Sequence, residues 1–462
     1  MHTLFALHNH FRLKLALRSL VLAVGLTVAA CSDTTPVAGT ESPATSGSGE
    51  GSTHPSGDND GALPGKPGAA DAGRSTAPGS PRDAQLGMPN DSAIVAPPTS
   101  AGDAGAAPTD VGSGDGKTGK APFVATGAPL VAPDRVWTWF EFPNTKCRDG
   151  SPAGIAVSMS AASKNLMLFL EAGGACFDAT TCLVNPSSIG NHGPAGSAGI
   201  FDRSNADNPV KDWSFVYVPY CTGDTHLGSN DAAQIEGVSG TQHLVGRLNM
   251  MAFLDRVVPT FVDPPQVLVT GTSAGGFAAS ASVELVQWAF GPTPKFSMID
   301  DSGPPMSQGF LPKCLIDLWK KTWLLDKGIG ADCGTDCTAN GDFEMEYLAH
   351  IQNNSDLSFG ILESDSDAII RGFYGIGTNN GANDCKGTLL VTPMDPTVFR
   401  NGLLDVRMRV KDDPRFSSYY PASEQHTWLE SNDFYSAPSG GTRIVDWFKN
   451  VLDGKPGTHV GP

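Results

Sequence analysis

Hydrophobic positions concentrate in the last 340 residues, where short apolar runs alternate with longer segments of helical periodicity. The apolar runs predict six strands, at 136–142, 165–171, 214–219, 266–270, 295–299 and 357–363. The amphipathic segments between them predict helices, most clearly at 244–261, 276–290, 312–325 and 397–410. Near-continuous apolar strands separated by such helices indicate an α/β fold, with a mostly parallel sheet covered by helices on both faces.

The chain begins with the pattern of an export signal. Arg12, Lys14 and Arg18 precede an apolar segment at 19–30. This segment is shorter than the roughly 20 residues that a membrane-spanning helix needs. A basic stretch followed by a short apolar core is typical of a secretory signal peptide. We therefore predict a signal peptide over residues 1–30 and export of the protein.

Cys31 directly follows the small residues that end the apolar segment, in the sequence Val-Ala-Ala-Cys. This arrangement resembles a bacterial lipobox and predicts lipidation of Cys31, which would be the only attachment of the chain to a membrane. Ser32 at the next position favours the outer membrane or cell surface as the destination. An ordinary secretory signal with a chance cysteine is the alternative, and it would release the protein.

Residues 31–122 have the composition of a linker rather than of a domain. From residue 32 onward they contain no Phe, Trp or Tyr, and Gly, Ser, Ala, Pro, Thr and Asp dominate. Such a segment buries too little apolar surface to offset its conformational entropy, so it is predicted to be a disordered tether. The folded domain is expected at 123–462. This domain carries −14 of the net charge of −17, which argues against nucleic acid as a partner.

The cysteines agree with export. Beyond Cys31 the chain has eight, an even number, at positions 147, 176, 182, 221, 314, 333, 337 and 385. An even number in an exported chain indicates disulfides. Cys333 and Cys337 are four positions apart, but no His or second close Cys pair completes a zinc pattern, so no metal site is expected.

The segment 271–276 (GTSAGG) contains the G-x-S-x-G motif of a nucleophile elbow. A predicted strand runs straight into this segment and a predicted helix follows it. A serine in such a turn exposes its hydroxyl, and the start of the helix places backbone N–H groups beside a developing oxyanion. We interpret Ser273 as a nucleophile. A glycine-rich turn that only lets helix and sheet pack closely is the alternative.

A serine nucleophile needs a base, which comes last in the chain order of this architecture. Three histidines follow Ser273. His350 lies in a helix-like stretch and His459 in a Gly/Pro-rich tail. His426 lies in a loop after the last long predicted helix, which is where the base is expected.

Two pairs of aspartates compete for the role of the acid. Asp300 and Asp301 end the fifth predicted strand, whereas Asp365 and Asp367 end the sixth. The second pair lies on the last predicted strand before His426, as the acid normally does. We therefore expect Asp367 to be the acid, with Asp365 as the alternate. A turn cap is the structural alternative for any of these aspartates.

An oxyanion needs two or three N–H donors. Ala274, the residue after the nucleophile, is expected to supply one of them. The run 172–176 (AGGAC) directly after the second predicted strand is the natural source of the others. It resembles the glycine-rich oxyanion loops of esterases.

Several motifs occur in order along the predicted domain, namely CRDGSPAG at 147–154, EAGGACF at 171–177, VPYCTGD at 218–224, GTSAGG at 271–276 and DSG at 301–303. Together they resemble the pectin acetylesterase and Notum-like carboxylesterase family, over about residues 135–430. The resemblance implies an α/β-hydrolase-like fold and a triad of Ser273, Asp367 and His426. It also implies that N–H groups of Gly173, Gly174 and Ala274 face the oxyanion.

The same resemblance implies the disulfides Cys147–Cys221 and Cys176–Cys182, which would clamp loops around the mouth of the site. The remaining four cysteines of the domain are expected to pair as Cys314–Cys385 and Cys333–Cys337.

These observations predict a serine carboxylesterase that hydrolyses acyl esters, with acetyl as the expected acyl group. The expected substrate is an acylated polysaccharide such as pectin, or a small ester. The mechanism requires no metal or organic cofactor. Two alternatives stay open: a lipase or peptidase on the same fold, and a surface lipoprotein that binds a glycan without turnover.

Overall fold

The computed structural model describes residues 122–330, 348–349, 351–352, 357–376, 385, 392–455 and 457–462. The predicted signal peptide, the lipidation at Cys31 and the linker as far as residue 121 lie outside the described residues. Cys333, Cys337 and His350 also lie outside them. Within these described ranges, no helix combines the length and hydropathy needed to cross a membrane.

Eleven strands are found in the described part of the chain. They are β1 Thr138–Phe142, β2 Ala153–Ser158, β3 Leu166–Leu170, β4 Ser214–Val218, β5 Asn230–Ala233, β6 Gln242–Leu244, β7 Gln266–Thr272, β8 Lys295–Asp301, β9 Leu357–Leu362, β10 Phe416–Tyr419 and β11 His459–Val460. Nine of them form one sheet in the order β1-β2-β4-β3-β7-β8-β9-β10-β11. In this sheet the pairs from β4 to β11 are parallel, whereas the pairs β1–β2 and β2–β4 are antiparallel. β5 and β6 pair separately as a small antiparallel ribbon.

Helices connect the strands and cover the sheet. The described α-helices are α1 Ala179–Val184, α2 Gly246–Thr260, α3 Ala274–Phe290, α4 Lys313–Trp323, α5 Ala368–Gly375, α6 Pro396–Val410 and α7 Ile444–Asp453. In β3, Leu166, Leu168 and Leu170 face the hydrophobic cluster that contains the buried side of α2, α3 and α6. Met167 and Phe169 face a second cluster that includes α7. Because side chains alternate along a strand, the two clusters lie on opposite faces of the sheet. The predicted fold class is confirmed.

Two strands are longer than predicted, and their extra residues support the site. β7 and β8 continue as far as Thr272 and Asp301, which pair with each other in register. The apolar pattern had stopped at residues 270 and 299, because polar residues follow. These polar residues are nevertheless fully buried, at the carboxyl edge of a parallel sheet. This edge is where loops carry ligand-binding and catalytic groups in open α/β sheets.

Candidate active site

Ser273 stands in the sharp turn between β7 and α3. Its backbone has φ 55° and ψ −118°, a conformation that a residue with a side chain rarely adopts. Such a conformation costs on the order of 1–3 kcal/mol and persists only where neighbouring contacts hold it. Here the Ser273 N–H donates to the carbonyl oxygen of Asp301 at 2.8 Å, and α3 begins at the next residue.

The glycines of the elbow allow the turn to approach its neighbours. A Cβ at Gly271 would lie 2.5 Å from the carbonyl oxygen of Leu170. A Cβ at Gly275 would collide with that same oxygen, and one at Gly276 would collide with the carboxylate of Asp300. Close packing of helix and sheet therefore does require glycine in this segment. That requirement explains the glycines, but it does not explain the strained backbone of the serine between them.

His426 and Asp367 are brought together from two different loops. The Nδ1 atom of His426 lies 2.7 Å from Oδ2 of Asp367. Because a carboxylate can only accept, Nδ1 carries the proton and Nε2 is left as the basic nitrogen. The other carboxylate oxygen of Asp367 accepts from the N–H groups of Ile369 and Ile370, both at 2.8 Å, at the start of α5. Asp367 thus caps a helix and orients a histidine at the same time.

The loop that carries His426 is fixed to the end of β8, beside Ser273. The carboxylate of Asp301 accepts from the N–H groups of Trp428 and Leu429, each at 2.8 Å. Ser302 Oγ accepts from the N–H of Thr427 at 3.0 Å. Since the Asp301 carbonyl also accepts from Ser273, one residue positions both the serine and the histidine loop.

The other candidates for the acid and the base have different contacts. Asp365 pairs with Arg400 and accepts from Ser366. His459 lies in β11, where Nδ1 contacts Ser418 Oγ at 2.9 Å. Asp300 lies beneath the elbow, fully buried.

Burial raises the pKa values of several carboxyl groups at this edge. Burial raises the pKa of Asp301 to about 6, although its hydrogen bonds with Trp428 and Leu429 oppose the shift. Asp300 and Glu363 are also fully buried, and desolvation holds the pKa of each well above its ordinary range. The charge of Asp367 adds to the shift of Glu363. The sequence pattern missed Glu363, which looked like the polar end of an apolar strand.

An apolar cavity opens beside Ser273. It has a volume of about 730 Å³, counting the part open to solvent, and Ser273, Ala274, Gly174 and Ala175 contribute to its wall. The rest of the wall is mainly aromatic and aliphatic and includes Phe277, Ala281, Trp319, Trp323, Ile370 and Phe373. Sequence reasoning missed this cavity, since its lining comes from several helices and loops that are distant along the chain.

Two residues of the predicted oxyanion loop, Gly174 and Ala175, line this cavity. Within the described part of the chain, neither the Gly174 N–H nor the Ala175 N–H has a protein acceptor. Gly174 has φ 74°, a conformation that favours glycine. Gly173 instead packs against the ring of Tyr220 and does not contribute to the cavity wall.

Three disulfides are present among the described residues. They join Cys147 to Cys221, Cys176 to Cys182, and Cys314 to Cys385. The first two lie beside the oxyanion loop, and the third fastens the start of α4. In the described ranges, no group of three or more His, Cys, Asp or Glu side chains is arranged to hold a metal ion.

The chain is similar in sequence to known esterases. The family model Pectinacetylesterase matches residues 140–317. The palmitoleoyl-protein carboxylesterase NOTUM of Mus musculus is 28% identical over 152 residues, which make up 30% of this chain and 29% of that protein. The inactive palmitoleoyl-protein carboxylesterase notum1b of Danio rerio is 33% identical over 104 residues, 20% of this chain and 73% of that protein. The match covers about 30% of the length of the first curated relatives.

This chain is also similar in fold to solved structures. The Wnt deacylase Notum from Drosophila superposes with a TM-score of 0.52, covering 67% of this chain and 91% of that chain. A second crystal form of the same enzyme gives a TM-score of 0.51. The sequence identity is 16% in both, so these matches establish the fold alone.

Proposed function

Because this chain belongs to the pectin acetylesterase and Notum-like carboxylesterase family, we propose that it is a serine carboxylesterase. Ser273 is the proposed nucleophile, His426 the general base and Asp367 the orienting acid. The observation that carries the proposal is the 2.7 Å contact between His426 Nδ1 and Asp367 Oδ2. In the loop that carries His426, the N–H groups of the next three residues are bound by Asp301 and Ser302, at the end of β8 beside Ser273.

Family membership alone does not decide activity, because one relative is named an inactive carboxylesterase. The activity of this chain therefore depends on its own side chains. A hydroxyl in a strained elbow, an imidazole with a defined tautomer and a buried carboxylate are the parts that acyl transfer needs. We assign these three parts to Ser273, His426 and Asp367.

The proposed reaction is acyl transfer through the serine. His426 Nε2 takes the proton of Ser273 Oγ as the oxygen attacks the ester carbonyl, and then gives it to the departing alcohol. Asp367 keeps the proton on Nδ1 and stabilises the imidazolium. Water then attacks the acyl-enzyme, with His426 again as the base.

The oxyanion of each tetrahedral intermediate would be held by backbone N–H groups. Ala274 and Gly174, both beside Ser273 in the cavity wall, are two proposed donors. Gly173 is the third donor by resemblance, whereas the cavity wall favours Ala175 in that role.

The proposed substrate is an acylated polysaccharide, with acetyl as the first candidate acyl group. The apolar cavity supports a second candidate, a longer aliphatic acyl group, because its wall beside Ser273 is mainly aromatic and aliphatic. The relatives named palmitoleoyl-protein carboxylesterases support this second candidate. The net charge of −14 on residues 123–462 gives no general attraction to a polyanionic pectin.

We also propose that residues 123–462 form the esterase domain of an exported protein, anchored by a lipid at Cys31. Disulfides Cys147–Cys221, Cys176–Cys182 and Cys314–Cys385 support an oxidising destination.

The test compares the full chain with Ser273→Ala on esters from acetyl to long-chain acyl, and on peptides. We expect ester turnover by the wild-type protein and a loss on the order of 10³-fold or more in the variant, because the nucleophile is gone. Labelling by a fluorophosphonate should disappear with it. Near-normal turnover of Ser273→Ala would reject the assignment, and peptide cleavage without ester cleavage would favour a peptidase. Glycan binding by a wild-type protein that neither turns over esters nor reacts with the fluorophosphonate would favour the non-catalytic alternative.

A further inference from the structure

Two carbonyl oxygens of the oxyanion loop, and that of Glu171 just before it, are bound by side chains from outside the loop. The three hydrogen bonds are His226 Nε2 to Glu171 O at 2.9 Å, Asn185 Nδ2 to Gly173 O at 2.6 Å, and Tyr220 Oη to Gly174 O at 2.9 Å. Each donor comes from a different position in the chain, and each holds one carbonyl. The loop is therefore fixed peptide by peptide rather than at its ends alone.

The direction of each carbonyl determines the direction of the next N–H. A trans peptide is planar, so its C=O and N–H point in opposite directions. The Gly173 carbonyl and the Gly174 N–H belong to one peptide, which Asn185 fixes. The Gly174 carbonyl and the Ala175 N–H belong to the next peptide, which Tyr220 fixes. Both N–H groups are thereby turned away from these side chains.

The cavity lies on the side of these two peptides opposite to Asn185 and Tyr220. Gly174 and Ala175 form part of its wall together with Ser273, and their N–H groups have no protein acceptor among the described residues. Donors that are aimed and unpaired before the substrate arrives are what stabilisation of an oxyanion requires, because no reorganisation is then needed during the reaction.

The three side chains are neutral and are themselves held in place. Burial lowers the pKa of His226 to about 4, so the ring is neutral near pH 7, and its proton lies on the Nε2 that faces the carbonyl. Tyr220 Oη also accepts from the Thr225 N–H at 2.7 Å, which fixes the direction in which its own hydrogen points. Asn185 directly follows α1, which the Cys176–Cys182 disulfide joins to the end of the oxyanion loop.

We propose that Asn185 and Tyr220 are positioning residues that aim the N–H groups of Gly174 and Ala175 at the oxyanion, and that His226 supports them by fixing the peptide at the start of the loop. This inference rests on the proposed esterase activity and adds to it a set of residues outside the triad. None of the three touches the reacting atoms in this proposal. Asn185 and Tyr220 act through the two peptides that they orient, and His226 acts through the peptide that leads into them.

The experiment uses the full chain and removes one donor at a time. Tyr220→Phe deletes only the hydroxyl, and Asn185→Ala deletes the amide. Tyr419→Phe is the matched control, because the Tyr419 hydroxyl also donates to a carbonyl, that of Thr442 at 2.6 Å, away from the site. Active sites are counted with a fluorophosphonate, so that kcat refers to folded enzyme. The inhibition constant of an alkyl boronic acid, which forms an anionic tetrahedral adduct with the serine, is measured in parallel.

We expect Tyr220→Phe and Asn185→Ala each to lower kcat per active site at least tenfold, with KM within about twofold of wild type. The boronic acid should bind more weakly by a similar factor, since it uses the same N–H groups. Tyr419→Phe should keep wild-type values. His226→Gln, which retains an N–H donor, should keep more activity than His226→Ala.

The inference is overturned if both folded variants keep kcat within twofold of wild type, or if kcat falls while boronic acid affinity stays unchanged. Absence of any ester turnover in the wild-type protein would instead sink the esterase proposal, and this inference with it. The two failures are distinguishable because the second is seen before any variant is made. If Tyr220→Phe does not fold, Asn185→Ala and the His226 pair decide the result.

Discussion

The two sides of Ser273 are built from different chemistry. On one side lie His426 and Asp367, with Asp301, Asp300 and Glu363 buried around them. On the other side lie backbone N–H groups, neutral hydrogen-bonding side chains and the apolar cavity. We refer to these as the acid side and the neutral side. The acid side handles the proton in the proposed reaction, whereas the neutral side holds the negative oxygen and the acyl group.

The two sides differ in how burial affects the protonation of their side chains. On the acid side, desolvation shifts the pKa of Asp301 to about 6, so its charge varies with pH. On the neutral side, His226 is kept uncharged near pH 7 by a pKa lowered to about 4, and burial holds the pKa of Tyr220 well above its ordinary value. These two side chains therefore stay neutral near pH 7.

The largest expected effect tests the acid side directly. Asp367→Asn retains an oxygen for the N–H groups of Ile369 and Ile370, so the helix cap survives. It removes the carboxylate that keeps the proton on His426 Nδ1, and we expect kcat to fall on the order of 10⁴-fold. The measurement is steady-state ester hydrolysis.

Asp365→Asn is the matched control for this prediction, since Asp365 is as buried as Asp367 but pairs with Arg400. It should keep kcat within about tenfold of wild type. A larger loss in Asp365→Asn than in Asp367→Asn would exchange the roles of the two residues.

A smaller effect is expected on the neutral side and should depend on acyl length. Ala281 lines the cavity from α3, and Ala281→Leu would fill part of the space beside Ser273. We expect kcat/KM for a hexanoyl ester to fall about tenfold or more, because each methylene in an apolar pocket contributes roughly 1–3 kcal/mol. The acetyl ester should change far less. Steady-state kinetics on the two esters give the ratio of their kcat/KM values, which is the quantity to compare.

Ala289→Leu, at an equally buried position of the same helix but not in the cavity wall, should leave this ratio unchanged. Equal losses on both esters in Ala281→Leu would show that the cavity does not receive the acyl chain.

The smallest effect concerns stability. The folded chain raises the pKa of Glu363 above its ordinary 4.5, so above pH 4.5 the unfolded chain releases a proton that the folded chain keeps. Stability therefore falls as pH rises, by up to about 1.4 kcal/mol per pH unit for this group. Glu363→Gln should reduce the fall of Tm between pH 5 and pH 8.

Exposed Glu141→Gln is the control and should keep the wild-type slope of Tm against pH. If the slope of Tm against pH in Glu363→Gln equals that of wild type, the folded chain does not retain a proton on Glu363.

The local sequence pattern was enough to predict the strand, the turn and the helix around Ser273. The strand that leads to Ser273 is a run of β-branched and apolar residues, and the helix after it begins in a glycine-rich turn. Both patterns lie within a few consecutive residues, so they can be recognised without knowledge of the fold. Chain order and loop position likewise selected His426 and Asp367, the pair that the structure places in contact.

Elements with weak local signals were missed. β10 reads Phe-Ser-Ser-Tyr, and its serines are buried although they are polar. They lie between β9 and β11 in the sheet, where the backbone pairs on both sides, so tertiary context overrides their polarity.

Contacts over long sequence separation could not be predicted either. His226 bonds a carbonyl 55 positions earlier, and Tyr220 bonds one 46 positions earlier. Neither residue forms part of a local pattern that would point to such a partner. Their roles emerge only when the loop after β4 and the loop after β3 lie side by side.

The position of two disulfides has a consequence for when the protein can work. Cys176–Cys182 and Cys147–Cys221 join the segments that carry Asn185 and Tyr220 to the rest of the domain. Reduction of these two bridges would release both segments, and the oxyanion loop of the proposed enzyme would then lose part of its support.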